Sequence, residues 1–348
     1  MKPMVILRGD ASHKIGYGHF VRTCALAGYL SSDFQCLIAS RPPFDFGESS
    51  CYDSIESLPA FMRQQIVEAG AQFLPLQASS AEEYDRVFVE TVEKLHPAIT
   101  VLDNYYFGED YQRKVKDTGA KLVCLDDMHE RHFVADMVLS PSPVKREDFS
   151  LAPDTRFYAG PEYALLRPAF LGEVPARDRK EIRDILLAIG GADPLNLSSV
   201  LAAQLISTFP SSHIHIISSQ VISLESAKRS HYTLRSKLSA KDMTNLMDSC
   251  DLAILPASTI CLEAFARRLP VAAGWFADNQ LPFYRHGVEH NWFIPLGDLR
   301  TPNLASALSP LTKPTFASIL NTLQPPLLSD PENSPKTRIH SLFTSLLN

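Results

Sequence analysis

The sequence predicts an α/β protein of two doubly wound parallel-sheet domains, and three observations carry that prediction. Short apolar runs alternate with segments of helical period along almost the whole chain, the pattern of parallel strands joined by crossover helices. The alternation comes in two series, and a length of 348 residues suits roughly two domains. Between the series, the stretch from Pro161 to Arg183 holds three prolines and the charge-dense run Arg177-Asp178-Arg179-Lys180-Glu181, the composition of a solvated linker. These features set an N-terminal domain over 1–165, a C-terminal domain over 180–330 and a terminal helix within 331–348.

In the first series the strand candidates are Met4–Leu7, Gln35–Ala39, Gln72–Leu74, Ile99–Leu102, Leu122–Leu125 and Met137–Leu139, with helices at about 18–31, 60–69, 80–95 and 110–118. The segment from Arg41 to Pro59 carries three prolines, Gly47 and several serines, and reads as a long loop of the kind that often borders a site. The second series offers strands at Ile185–Ile189, Ile214–Ile217, Leu252–Leu255 and Val271–Gly274, with helices near 197–209, 241–249, 258–268, 279–288 and 302–309. After the Pro-, Ser- and Asp-rich stretch from Pro325 to Pro335, Ile339, Leu342, Phe343 and Leu346 fall on one face of a last helix.

Composition narrows the function. The chain is 45% hydrophobic and 21% charged, an ordinary globular balance. Its net charge is −6 and no cluster of Lys and Arg dominates a segment, which argues against a nucleic-acid partner. No apolar stretch approaches membrane-spanning length and no signal-peptide pattern opens the chain, so a cytoplasmic protein with no membrane partner is expected, with a monomer as its expected state. The six cysteines form no Cys-x-x-Cys pair and lie mostly in apolar runs, as reduced, buried thiols do.

Ligands of open α/β sheets bind beyond the carboxyl ends of the strands, and the chain's unusual residues gather there. Gly16-Tyr17-Gly18-His19-Phe20-Val21-Arg22 joins the first strand to the first helix, where backbone N–H groups face a negatively charged ligand and His19 and Arg22 lie one turn apart. Gly190-Gly191-Ala192-Asp193 follows a strand and lacks both the Walker lysine and the three-glycine dinucleotide pattern. Ser258-Thr259 opens a helix bearing Glu263, a start suited to a diphosphate. Asp278-Asn279-Gln280, Asp103-Asn104-Tyr105 and Asp126-Asp127 also sit past strands. Each of these has a plain structural reading beside the functional one: glycine turns, Ser, Thr, Asp or Asn caps, and strand-end carboxylates that bind metal, act as bases or cap helices.

Taken together, these segments resemble one family. Arg8-Gly9-Asp10 with Ile15-Gly16-Tyr17-Gly18-His19-Phe20-Val21-Arg22, Asp103-Asn104-Tyr105, Leu125-Asp126-Asp127, Gly160-Pro161-Glu162-Tyr163-Ala164-Leu165-Leu166-Arg167, Gly190-Gly191-Ala192-Asp193, Ser258-Thr259 with Glu263, and Asn279-Gln280 stand in the order found in the nucleotide-sugar hydrolases of pseudaminic acid biosynthesis. The resemblance covers roughly residues 4–300; the Arg41–Pro59 loop and the tail depart from it. It implies a GT-B fold, two Rossmann-like domains facing a cleft, with the nucleotide held by the C-terminal one. It implies metal-independent attack of water on C1 of a UDP-linked 2,4-diacetamido-2,4,6-trideoxy sugar, with inversion and release of UDP and no cofactor. By the same resemblance His19 is the general base, Tyr105 and Asn279 lie close to the sugar and water, Ser258 and Thr259 meet the diphosphate, and Glu263 meets the ribose. Asp10, Gly16, Gly18, Arg22, Gly190, Gly191 and Gln280 complete the expected substrate-binding set. A helix start disfavours the imidazolium and so leaves His19 available as a base.

Two rival readings belong beside this one. A GT-B glycosyltransferase would pass the sugar to an acceptor hydroxyl; no amphipathic basic helix for a lipid-linked acceptor stands in the N-terminal half. A non-catalytic nucleotide-sugar binding protein would have no use for His19, Tyr105 and Asn279 together.

Overall fold

The computed structural model describes every residue except 1, 12–16, 45–51, 177–180, 191, 192, 194, 223, 225–229, 237, 313–315 and 331. It divides into two compact units, Met1–Pro168 together with Pro331–Asn348, and Ala169–Asp330. Among the described residues, the first unit contains β1 (Met4–Gly9), β2 (Gln35–Ala39), β3 (Gln72–Phe73), β4 (Ile99–Asp103), β5 (Lys121–Leu125), β6 (His132–Phe133), β7 (Met137–Ser140), β8 (Ser150–Leu151) and β9 (Arg156–Ala159). Seven of these form a sheet in the order β3-β2-β1-β4-β5-β7-β9, all parallel, while β6 and β8 pair separately. Its first helices are α1 (Gly18–Leu30), α2 (Ala60–Glu68), α3 (Ala81–Leu95) and α4 (Glu109–Asp117).

The second unit contains β10 (Asp184–Ala188), β11 (His213–Ile217), β12 (Tyr232–Arg235), β13 (Leu252–Pro256), β14 (Val271–Trp275) and β15 (Ile294–Asp298), with α5 (Leu197–Thr208), α6 (Ala240–Ser249), α7 (Thr259–Ala266), α8 (Leu281–Glu289), α9 (Leu304–Leu308) and α10 (Phe316–Leu320). Its sheet runs β12-β11-β10-β13-β14-β15, again parallel throughout. The chain then returns to the first unit as α11 (Pro335–Ser345), which packs on α1 with Ile339 and Phe343 fully buried.

The elements follow from the residues. β4 and β13 are buried at every position, and their Ile-Thr-Val-Leu-Asp and Leu-Ala-Ile-Leu-Pro sequences are the near-continuous apolar runs that a sheet covered on both faces requires. Helix α3 buries Tyr84, Phe88 and Val92, spaced four apart, and burial of the Phe88 and Val92 side chains contributes about 1.5–3 kcal/mol each. Ser80 caps it by accepting the Glu83 N–H at 3.1 Å, and His96 ends it in the left-handed conformation at φ 47°.

Strands β9, β12 and β15, for which the apolar pattern gives no expectation, are edge or near-terminal strands. Arg156-Phe157-Tyr158-Ala159 and Tyr232-Thr233-Leu234-Arg235 are half-buried or exposed throughout. β15 carries Pro295 and a register shift opposite Ala273 and Gly274, features confined to sheet edges and bulges.

In both sheets the strand order reverses beside the first strand, between β1 and β4 and between β10 and β13, where ligands of such sheets bind. Helix α1 is seated on the first of these points by close approach at Gly9. A Cβ there would lie 2.2 Å from Thr23 Oγ1 and 3.1 Å from the His19 carbonyl oxygen. Gly9→Ala should therefore displace α1 and lower stability by about 1–3 kcal/mol, read as a lower urea midpoint; an unchanged midpoint would show that this contact does not seat the helix.

Candidate functional site

Strand β4 ends on Asp103, which is fully buried. Residues 19, 22 and 23 of α1 share one helix face, and all three reach this carboxylate. His19 Nδ1 lies 2.8 Å from Oδ1; Arg22 donates from Nη2 at 2.6 Å and Nε at 2.9 Å; Thr23 Oγ1 donates at 3.4 Å. An unprotonated Nδ1 would set its lone pair against the carboxylate, so Nδ1 carries the proton and donates, and Nε2 is the basic nitrogen. Arg22 Nη2 also stands 3.3 Å from Nδ1, but a guanidinium cannot accept and the shorter carboxylate contact decides the tautomer. Nε2 holds no hydrogen bond among the described residues. Burial pushes the Asp103 carboxyl up, but Arg22 and the His19 hydrogen bond outweigh it and hold the group below the usual carboxylate range.

Arg22 bridges to a second carboxylate, with Nη1 3.2 Å from Asp127 Oδ2. Tyr105 donates its hydroxyl to Asp127 Oδ1 at 2.8 Å, and its ring stands edge-on to His19 with centroids 4.5 Å apart. The five side chains close a cycle, His19 to Asp103 to Arg22 to Asp127 to Tyr105 and back. Burial and the neighbouring Asp127 push the Tyr105 hydroxyl up, so it stays protonated and serves as a donor. Its side chain is 39% exposed, whereas His19 is 8% exposed, so the tyrosine offers the cycle's larger open surface.

Asp10, expected among the substrate contacts, is instead fully enclosed. Arg8, itself buried, donates to it from Nη2 at 2.9 Å, Tyr106 donates its hydroxyl and the Arg41 N–H donates at 2.8 Å. Arg8 also bonds Asp85 and Tyr111, and its guanidinium lies 4.8–5.5 Å from the ring centroids of Tyr84, Phe88, Phe107 and Tyr111. Asp10 thus anchors the loop bearing Tyr106, next to Tyr105. Asp126 resolves the same way, its Oδ1 accepting the Met128 and His129 N–H groups at 2.8 and 2.7 Å in a side-chain turn. Gly18 begins α1, exposed and with nothing within 4 Å of a Cβ, so the chain itself does not demand glycine there.

Between Asp103 and Tyr105, the carboxamide of Asn104 carries an unmet donor. Its Oδ1 accepts the Tyr105 N–H at 2.8 Å, which settles which end is oxygen. Its Nδ2 is then buried without a partner among the described residues. Such a donor costs about 1–3 kcal/mol unless something fills it.

In the second unit, β13 runs into the start of α7. Ser258 occupies the cap position, yet no side chain caps the helix, unlike α3, α6, α9 and α11, which Ser80, Ser239, Asn303 and Ser334 cap. Ser258 is half-buried with only a 3.5 Å contact from its hydroxyl to the Pro256 carbonyl, Thr259 is exposed, and Glu263 is half-buried further along the same helix. β14 pairs beside β13, with Gly274 opposite Pro256, so the Asp278–Gln280 turn follows the adjoining strand end. Asn279 is exposed on that turn, while Gln280 braces it by accepting the Phe276 N–H at 3.0 Å. After β10, Gly190 holds φ 111°, which only glycine adopts readily, and Asp193 caps α5 through the Leu197 and Ser198 N–H groups at 2.8 and 2.9 Å. Gly16 and Gly191 lie outside the described residues, as do residues 45–51 of the long loop and 177–180 of the charged run. No set of His, Cys, Asp and Glu with metal-ligand geometry includes any of these positions among the described residues.

Two parallel sheets of this order, one built around a His–Asp–Arg cluster and one around a helix start, define a GT-B fold protein. The chain matches the glycotransferase of kitacinnamycin with a TM-score of 0.66 at 12% identity, covering 100% of both chains. It matches MurG of Acinetobacter baumannii with a TM-score of 0.61 at 12% identity, covering 99% of this chain and 100% of that one. In sequence it is a relative of the UDP-2,4-diacetamido-2,4,6-trideoxy-beta-L-altropyranose hydrolase of Campylobacter jejuni, 26% identical over 285 residues, which cover 79% of this chain and 93% of that protein. The resemblance read from the motifs is thereby borne out. No family model matches the chain. No helix among the described residues is long and apolar enough to cross a membrane.

Two measurements check the cluster. Nitrogen-15 spectra of labelled His19 should show the neutral ring carrying its proton on Nδ1, and Asp103→Asn should shift that tautomer balance; a dominant Nε2–H tautomer in the native chain would refute the assignment. The second measurement uses acid. Because the Asp103 and Asp10 carboxyls sit below their unfolded value of about 3.9, their stabilisation is complete above that value and is lost as pH falls through the folded values. The urea midpoint should drop on acidification below about pH 4, and Asp103→Asn should flatten that drop; an equally steep drop in the variant would sink the linkage.

Proposed function

We propose that this chain hydrolyses a UDP-linked 2,4-diacetamido-2,4,6-trideoxy sugar at the C1–O bond, releasing UDP and the free sugar without a metal ion. The observation that carries the reading is the buried His19–Asp103 pair with an uncommitted Nε2. The Campylobacter jejuni relative, named for hydrolysis of such a UDP-sugar, supports the substrate class.

Water is a poor nucleophile, and a positioned neutral imidazole that takes its proton typically contributes about 10²–10⁴-fold. In the proposed step His19 Nε2 accepts a proton from water as the water oxygen bonds to C1. The C1–O bond to the β-phosphate breaks, and UDP leaves with the electron pair. A single displacement of this kind inverts C1. The imidazolium so formed faces Asp103, which Arg22 keeps ionised, so the new charge arises opposite a fixed counter-charge. Tyr105 and Asn279 are assigned to the sugar and the water, and the buried Asn104 amide suits an acceptor such as an acetamido carbonyl. The uncapped start of α7, with Ser258 and Thr259, is assigned to the diphosphate, where free N–H groups and the helix dipole offset negative charge growing on the leaving group. Glu263 is assigned to ribose hydroxyls, and Gly190 with Gly191 to close backbone approach.

The deciding assay measures UDP release from candidate UDP-sugars with no acceptor and with a chelator present. Acceptor-free release with inverted product supports the hydrolase, strict dependence on an acceptor would make the chain a glycosyltransferase, and tight binding without turnover would make it a binding protein. His19→Leu should lower kcat by about 10²–10⁴-fold with UDP affinity nearly unchanged; an undiminished kcat would remove His19 from the mechanism.

A further inference from the structure

Helix α8 ends in the sequence His286-Gly287-Val288-Glu289-His290, two imidazoles four residues apart with a carboxylate between them. That spacing brings both rings to one helix face. We propose that this last turn binds one divalent transition-metal ion of the zinc class through His286, Glu289 and His290. One ligand atom from each of the three residues lies within 4.8 Å of the other two, and a small rotation of the stacked imidazole rings would aim a nitrogen of each at one ion.

The surroundings match what a metal site needs. His290 Nδ1 donates to the His286 carbonyl oxygen at 2.9 Å, the partner that ligating histidines commonly have for their second nitrogen. Its Nε2 is therefore the bare, ligating atom. The His286 ring stands edge-on to Trp292, centroids 4.7 Å apart, and Trp292 is buried, so one ligand is held before any ion arrives. Neither the His286 ring nitrogens nor the Glu289 carboxylate has a hydrogen bond or close ion pair among the described residues.

Two imidazoles and one carboxylate form a borderline donor set that suits zinc, nickel or copper, whereas calcium and magnesium take oxygen ligands. Glu289 and His290 are exposed, so an ion has open access, and a cation at a helix C-terminus meets the favourable end of the dipole. At 1.5 Å per residue the site lies on the order of 15 Å along α8 from the Asp278–Gln280 turn. It is therefore distinct from the residues assigned to the sugar, and the proposal does not rest on the hydrolase reading. An ion there would staple the last turn of α8 to its cap residue His290.

The test uses the full chain stripped with chelator and titrated with zinc chloride by calorimetry, with thermal melts in parallel. One equivalent should bind, and the melting temperature should rise with zinc as mass action requires. His290→Ala should weaken binding by at least about tenfold and remove most of the rise, and Glu289→Gln should weaken it less. His286→Ala with His290→Ala should abolish it, with circular dichroism reporting that the variant is folded. Zinc affinity unchanged in the double variant, or no saturable binding to the native chain, would overturn the site; full affinity in Glu289→Gln would overturn the carboxylate's part in it.

Discussion

A buried carboxylate at the end of β4 organises the first unit. Asp103 has no solvent contact, and a charge in that position is tolerated only where donors surround it. Three residues of one helix supply them, so the seat of α1, the rotamer of His19 and the ionisation of Asp103 are a single arrangement. Arg22 extends the arrangement to Asp127 beyond β5, and Asp127 in turn holds Tyr105. Losing the arginine would leave two carboxylates short of charge and would release the tyrosine. A second enclosed pair, Arg8 with Asp10, stiffens the end of β1 and the loop after β4. The strand ends of this unit are therefore fixed by buried ion pairs.

The two units share a strand order and differ in what they place at its reversal. The first presents side-chain charge and a basic nitrogen. The second presents backbone: a glycine at φ 111° and a helix start left uncapped although a serine stands there. One topology thus accommodates a buried ion-pair cluster in one copy and an uncapped helix start in the other, and a shared fold at 12% identity tells nothing about which chemistry a chain performs.

Much of this was legible in the residues. Central strands such as β4 and β13 are buried on both faces, so their apolar runs are unmistakable, and His19, Arg22 and Tyr105 stand where strand ends predict a site. Of the edge strands only β3 was legible, at Gln72–Leu74; β9, β12 and β15 were not, because β9 and β12 face solvent and β15 contains a proline. The division among the carboxylates was also hidden. Asp10, Asp103, Asp126 and Asp127 all stand at or just past strand ends, yet one pairs with a buried arginine, one holds the histidine, one caps a turn and one holds the tyrosine. Which partner each finds depends on helix seating, a long-range property. Arg8 stands in the Arg8-Gly9-Asp10 motif, but its enclosure could not be read there; it lies within an apolar strand, and four aromatic rings from distant segments surround it.

The return of α11 to the first unit has a consequence for how the chain is made. In connectivity the second unit is an insertion, since residues 169–330 are contiguous whereas the first unit needs both the start and the end of the chain. A ribosome that has emitted the whole first sheet has still not delivered Ile339 and Phe343, which fill its flank. The flank of α1 that these two side chains cover is therefore completed by residues made after the whole of the second unit, although the strands of that sheet come first in the chain.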